Sequence, residues 1–212
     1  MTPEFSPVRP IGETDLTDRT KAGGKALASP PSPTCKPSLS TKAENHLSDK
    51  PNLTDKRGAK ILLRIAVDSR EQAPFTFSGF PCTVEVGTLA TADYSLHGFT
   101  DRVGIERKSL GDLVACLSTD RERFTRELSR LRGFNAAVVV VESPASDLRA
   151  GNYRSQLNPE AAWQSCLAFM QRFRVPFIWC QDRADAERVT FDLLRHFATD
   201  RRRELSALQD VG

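Results

Sequence analysis

Val138, Val139, Val140 and Val141 follow Ala136 and Ala137 without a break, and Glu142 closes the run. Side chains in a strand alternate between faces, so a strand apolar at every position must be covered on both sides. Helices packed on both faces of a sheet supply that cover, and the rest of the chain alternates strand and helix signals. Strands are predicted at Ile61 to Val67, Thr83 to Leu89, Thr91 to Leu96, in the stretch ending at Lys108, and at Pro176 to Cys180. Helices are predicted after Ser109 (Leu113, Val114 and Leu117), over Thr119 to Arg132, from Pro159 to about Phe173 with Asn158 as cap, and from Ala184 to about Arg203. The fold class is α/β: one domain with a central mixed sheet flanked by helices.

At 212 residues the chain has room for one ordinary domain and an extension. The extension reads as a disordered Pro/Ser/Thr-rich tail over residues 1–57, where prolines concentrate and Phe5 is the single aromatic residue. Such a composition buries too little apolar surface to offset the entropy of ordering. The domain then occupies residues 58–212. Lys56, Arg57, Lys60 and Arg64 form a small basic cluster at the junction, which a solvated domain edge explains as well as phosphate contact does.

Basic and acidic residues nearly balance, 30 against 27, so any nucleic-acid footprint is a local patch rather than a global field. The five cysteines include no Cys-x-x-Cys pair, and with only three histidines they argue against a zinc site or a disulfide framework. A reducing compartment is the expectation, cytoplasmic or, in a eukaryote, nuclear. No membrane span or signal peptide is expected.

The chemistry concentrates where a strand runs into a helix, at Ile105 Glu106 Arg107 Lys108 Ser109 Leu110 Gly111 Asp112. Glu106 and Lys108 share one face of the strand, and Val103, Ile105 and Arg107 the other. If Thr91 to Leu96 pairs with it as a hairpin across His97 to Gly104, matching Tyr94 and Leu96 to Val103 and Ile105 brings Asp93 to the face of Glu106 and Lys108. Two carboxylates can hold Mg2+, with Mn2+ as a possible substitute, and a nearby lysine can steady the attacking water or the developing charge. That set suits phosphodiester hydrolysis. An ordinary surface hairpin with salt bridges would use the same residues.

The wider pattern is Val67 Asp68 Ser69 Arg70 Glu71, then Gly87 Thr88 Leu89 and Ala92 Asp93 Tyr94, then Glu106 Arg107 Lys108 with Asp112. It resembles the nuclease domain of the XPF family of structure-specific DNA endonucleases, itself restriction-endonuclease-like. The likeness covers roughly Ile61 to Leu131 and continues more loosely to the C-terminus. It implies that Asp93 and Glu106 bind metal, that Asp68 completes the acidic site, and that Lys108 orients water or stabilises charge. For Asp68 a turn cap is the competing role. Arg70 and Glu71 would position the phosphate and support the metal's waters, or pair within the sheet edge. Arg107 faces the apolar side and needs a buried carboxylate, for which Asp112 is the candidate; Asp112 also suits a helix N-terminus.

Two positions depart from the family pattern. Ala92 stands where a glycine precedes the motif aspartate, which is costly if that residue needs a positive φ. Glu127 stands where a glutamine follows Arg123 by four residues, and a carboxylate there would weaken contact with a DNA strand. Arg123, Arg126 and Arg130 form a stripe that suits a DNA backbone, though a solvated helix face paired with Glu122 and Glu127 explains it too.

The function expected is Mg2+-dependent endonucleolytic cleavage of branched or flap DNA, in repair or recombination. A non-catalytic DNA-binding scaffold subunit and a junction resolvase or restriction-like nuclease are the alternatives. The resemblance further implies a homodimer or another partner subunit, docked through the C-terminal helices and last strand, with Trp179, Phe177 and the Phe191 side of the last helix as candidate contacts, although core packing explains the same apolar residues equally well.

Overall fold

A computed structural model describes residues 62–209 of the chain. The expected tail, and most of the basic cluster that follows it, lie outside the described residues. Six strands form one mixed sheet: β1 (Leu63–Asp68), β2 (Cys82–Gly87), β3 (Tyr94–Leu96), β4 (Val103–Lys108), β5 (Ala136–Val141) and β6 (Phe177–Trp179), in the order β2-β1-β3-β4-β5-β6. β3 is antiparallel to both β1 and β4, while the β1–β2, β4–β5 and β5–β6 pairs are parallel. The helices are α1 (Leu110–Leu117), α2 (Arg121–Leu131), α3 (Ala145–Ala150), α4 (Pro159–Phe173) and α5 (Arg183–Gln209).

The valine run divides its side chains as a doubly covered strand must. Val139 and Val141 join Leu113, Phe124, Leu128, Cys166 and Phe169 of α1, α2 and α4 in one core. Val138 and Val140 join Ile65, Tyr94, Ile105, Phe191 and Leu194 in the other, beneath α5. Removing this apolar area from water at roughly 25 cal/mol per Å² is the main force holding helices to sheet.

The hairpin forms in the register that apolar parity demands, with Tyr94 opposite Ile105. α4 opens with Asn158 accepting a hydrogen bond from the Ala161 N–H at 3.1 Å and Pro159 in the first turn. A cap of this kind contributes about 1 kcal/mol. β3, β2 and β6 are shorter than predicted. β3 begins only at Tyr94 because Ala92 sits at φ 69°, in the left-handed region, and bends the chain just before it. β2 stops at Gly87 because the Leu89 N–H turns to a carboxylate oxygen of Asp68. α3 has no counterpart in the prediction, and α5 runs further toward the C-terminus than its apolar period suggested.

Phe177 and Phe191 are core residues, 6% and 1% exposed, as the core-packing alternative has them. Trp179 is half-buried against Trp163, their rings 6.1 Å apart. Among the described residues the four cysteines are free thiols, and no helix is long and apolar enough to cross a membrane.

Candidate active site

β4 carries Glu106 and Lys108 to the C-terminal end of the sheet's middle, and β3 begins just beyond Asp93. Asp93 is fixed by its backbone to both neighbours: its N–H donates to the Ile105 carbonyl at 3.1 Å, and its carbonyl accepts from Asp68 N–H at 2.8 Å. One of its carboxylate oxygens accepts from the Arg107 N–H at 2.8 Å. Asp93, Glu106 and Lys108 thereby line a cavity of about 310 Å³, together with Asp68, Arg70, Glu71, Thr91, Arg123, Glu127 and Arg130.

Glu106 is 2% exposed. One of its oxygens accepts from the Lys108 ammonium, and the other, Oε2, is buried with no partner. Burial pushes the Glu106 carboxyl well above its usual range, neighbouring Asp93 and Glu127 add to the rise, and Lys108 opposes it. Asp93 is pushed up to about 6, chiefly by burial, against the pull of Lys108 and of the Arg107 N–H. Burial alone would lower Lys108, yet Glu106 and Asp93 hold it above its ordinary value, so it stays charged. Its ammonium also lies over the Phe124 ring, 5.6 Å from the centroid.

Asp68 lines the cavity but both its oxygens are engaged. Oδ1 accepts from Arg70 N at 2.8 Å and Nε at 2.7 Å, and Oδ2 from Arg70 Nη2 and Leu89 N, each at 2.8 Å. The Arg70 guanidinium holds this carboxyl down at about 2. Asp68 therefore caps the turn after β1, the competing role for it, and braces Arg70 at the cavity wall. Among the described residues no group of three or more His, Cys, Asp or Glu side chains stands where it could hold a metal ion. Asp68 lines the same cavity while paired with Arg70, and Asp93 and Glu106 converge there beside Lys108. That pair fits a hard cation that keeps most of its waters, and the unpartnered Oε2 of Glu106 is an oxygen donor in need of one.

The buried partner of Arg107 is Glu142, not Asp112. Arg107 Nε and Nη2 each reach a Glu142 oxygen at 2.7 Å, and Nη1 reaches Glu71 at 3.3 Å. Asp112 instead closes the start of α1: its N–H donates to Ser109 Oγ at 3.2 Å, and the hydroxyl donates to its carboxylate at 2.7 Å. Parallel pairing of Lys108 with Val141 sets Glu142 just past the strand end, its N–H donating to the Lys108 carbonyl at 2.9 Å. A carboxylate directly after a fully apolar strand was the available signal. A second cavity, of about 450 Å³, continues past Asp93 and Lys108 along Arg107, Ser109, Asp112 and Asp120.

Of the arginine stripe, Arg123 and Arg130 line the cavity. Arg126 does not, and lies 3.9 Å from exposed Glu122. Arg123 pairs with Asp120 at 2.6 Å. Glu127 faces the two central carboxylates, adding negative charge where the family pattern has an amide. Thr91, which sequence reasoning passed over, presents a buried hydroxyl without a partner in the same cavity wall.

The ERCC4 domain matches residues 67–193, more than half of the chain. The 3'-flap repair endonuclease Xpf of Saccharolobus solfataricus is 36% identical over 93 residues, which make up 42% of this chain and 38% of that protein. The chain thus matches well under half the length of this relative. The structure of XPF from Aeropyrum pernix superposes with a TM-score of 0.52 at 21% identity, over 69% of this chain and 73% of that one. XPF from Aeropyrum pernix in complex with DNA also gives 0.52, at 20% identity over 65% and 66%.

Proposed function

Since the chain belongs to the ERCC4-domain family, we propose that it is a divalent-cation-dependent endonuclease that hydrolyses phosphodiester bonds in branched or flap DNA. The observation that carries this reading is the convergence of Asp93, Glu106 and Lys108 in one cavity, with a buried Glu106 oxygen left unpartnered. Like charges crowded in low dielectric are costly, and a cation between them removes the cost. The name of the Saccharolobus relative and the DNA-bound Aeropyrum structure support DNA as substrate.

Asp93 and Glu106 would hold Mg2+, or Mn2+ in its place, through oxygen and leave the ion most of its waters. When bound, such an ion supplies Lewis-acid polarisation of a phosphoryl oxygen and a more acidic water. Lys108 donates to Glu106 and would bring a permanent positive charge into the cavity to offset charge developing on a phosphate. Arg70, braced by Asp68, and Arg123 and Arg130 on α2 line the walls with donors for phosphate oxygens. Arg107 donates its backbone N–H to Asp93 and so orients that carboxylate from behind.

The test is nicking of labelled flap, fork, four-way junction and linear duplex DNA with Mg2+, Mn2+ or chelator, comparing wild type with Glu106→Gln. Cleavage of flaps or forks that needs metal and falls by at least about 10²-fold in the variant is the expected result. Binding of branched DNA without cleavage under either metal would favour a scaffold role. Symmetric paired nicks confined to four-way junctions would favour a resolvase.

A further inference from the structure

From the contacts behind the cavity we infer that Glu142 and Arg183 are positioning residues for the cleavage reaction, joining the strand that carries Glu106 and Lys108 to the loop that carries Arg70 and Glu71. The inference rests on the nuclease reading above. Glu142, 9% exposed, receives two guanidinium groups: Arg107 through Nε and Nη2, and Arg183 through Nη1 at 2.7 Å. Arg183 spends its other terminal nitrogen on the backbone, with Nη2 donating to the carbonyls of Ala73 at 2.7 Å and Pro74 at 2.9 Å.

Both guanidinium groups also lie over the Phe75 ring, Arg183 at 4.8 Å and Arg107 at 5.9 Å from its centroid. Loop 69–75 is therefore held at both ends. Asp68 fixes its start through Arg70, and Arg183 fixes its end, where the Phe75 N–H also donates to Tyr94 Oη at 2.9 Å. Between these anchors Glu71 accepts from Ala73 N–H at 2.8 Å and from Arg107 at 3.3 Å.

Charge makes Arg183 more than a backbone clip. Arg107 faces two carboxylates, Glu71 and Glu142, and Arg183 supplies the second positive charge that balances them. Without it, one of the two acids competes poorly for Arg107 and the loop carrying Glu71 loses its tie to β4. Neither Glu142 nor Arg183 lines either of the two cavities that contain Asp93 and Lys108, so both act through Arg107 and the loop rather than on DNA.

The test uses the full chain with Arg183→Met, which keeps an unbranched apolar stem over Phe75 while removing charge and donors, and with Arg183→Lys and Glu142→Gln beside it. Three readouts separate positioning from plain stability: amide hydrogen exchange over residues 69–75 and over the β5 core, DNA affinity in chelator, and the single-turnover cleavage rate at saturating flap DNA. For Arg183→Met, loop amides exchange faster while the β5 core keeps its protection. The saturating rate falls by about 10-fold or more with affinity within about 2-fold of wild type, as expected when reacting groups are misplaced but the binding surface persists. Arg183→Lys, which keeps the charge, recovers part of the rate. Unchanged loop exchange, or a saturating rate equal to wild type, overturns the positioning role while leaving the nuclease reading standing. A wild-type chain inert on every DNA overturns the nuclease reading, and the positioning role with it.

Discussion

Asp93 keeps its proton in the fold up to about 6, against an ordinary 3.8, because ionising it places a charge in a buried site beside other acids. The sign follows from that direction: its contribution to stability is fully present below 3.8 and is lost as pH rises through about 6. A divalent cation held by Asp93, as proposed, would compete with the same proton. Mg2+ is therefore expected to raise the melting temperature at about pH 8 and to do little at about pH 5, with a gain of roughly 2.7 kcal/mol at a hundred times its dissociation constant. Thermal melts with and without Mg2+ at both pH values check this, and Asp93→Asn should abolish the difference. An equal shift at the two pH values would place the cation elsewhere. At this scale the sequence was legible where parity alone decided position. Asp93, Glu106 and Lys108 meet because the apolar sides of β3 and β4 must match and Asp93, just ahead of β3, keeps its backbone bonds to Ile105 and Asp68. What was not legible is that both Asp68 oxygens are engaged, by Arg70 and by a Leu89 N–H that only the folded chain brings near.

Ala92 and Gly104 show how two elements accommodate one departure from the family pattern. Ala92 occupies the left-handed region at φ 69°, a placement that costs a residue with a Cβ about 1–2 kcal/mol, yet Asp93 keeps its backbone bonds to both neighbouring strands. Room for the methyl comes from Gly104 on β4, where an added Cβ would stand 3.0 Å from that of Ala92 and 3.1 Å from Leu131 and Phe134. Gly104→Ala is expected to destabilise the fold by about 1–3 kcal/mol through overpacking. Ala92→Gly should partly suppress that loss, with a coupling of at least about 0.5 kcal/mol in a double-mutant cycle from urea unfolding. Strict additivity would show that the two positions do not share this space. Helix ends such as Asn158 and Pro159 could be read from local chemistry, whereas the early end of β2 depended on a tertiary acceptor for the Leu89 N–H.

Across the whole molecule 30 basic residues face 27 acidic ones, so the proposed affinity for DNA would come from where the arginines lie rather than how many there are. Arg123 and Arg130 line the cavity and Arg126 does not. Replacing Arg130 by Ala is expected to lower the slope of log affinity against log salt by roughly 0.7–0.9, while Arg126→Ala changes it little. Fluorescence anisotropy on flap DNA from about 50 to 200 mM salt measures both slopes. Equal effects would mean that the whole helix face, not the cavity, meets the backbone. The sequence by itself determined the α/β class, the covered central strand and the shared face of Asp93, Glu106 and Lys108, because period and parity are local properties that survive any packing consistent with a buried sheet. Tertiary structure alone decided the partner of Arg107. Asp112 is five residues away but is taken by the start of α1, whereas Glu142, 35 residues away, is delivered by the parallel register of β4 and β5. It likewise placed Arg183 against the loop ahead of Phe75, since charge pairing across such separations depends on which strand ends and helix ends the fold sets side by side.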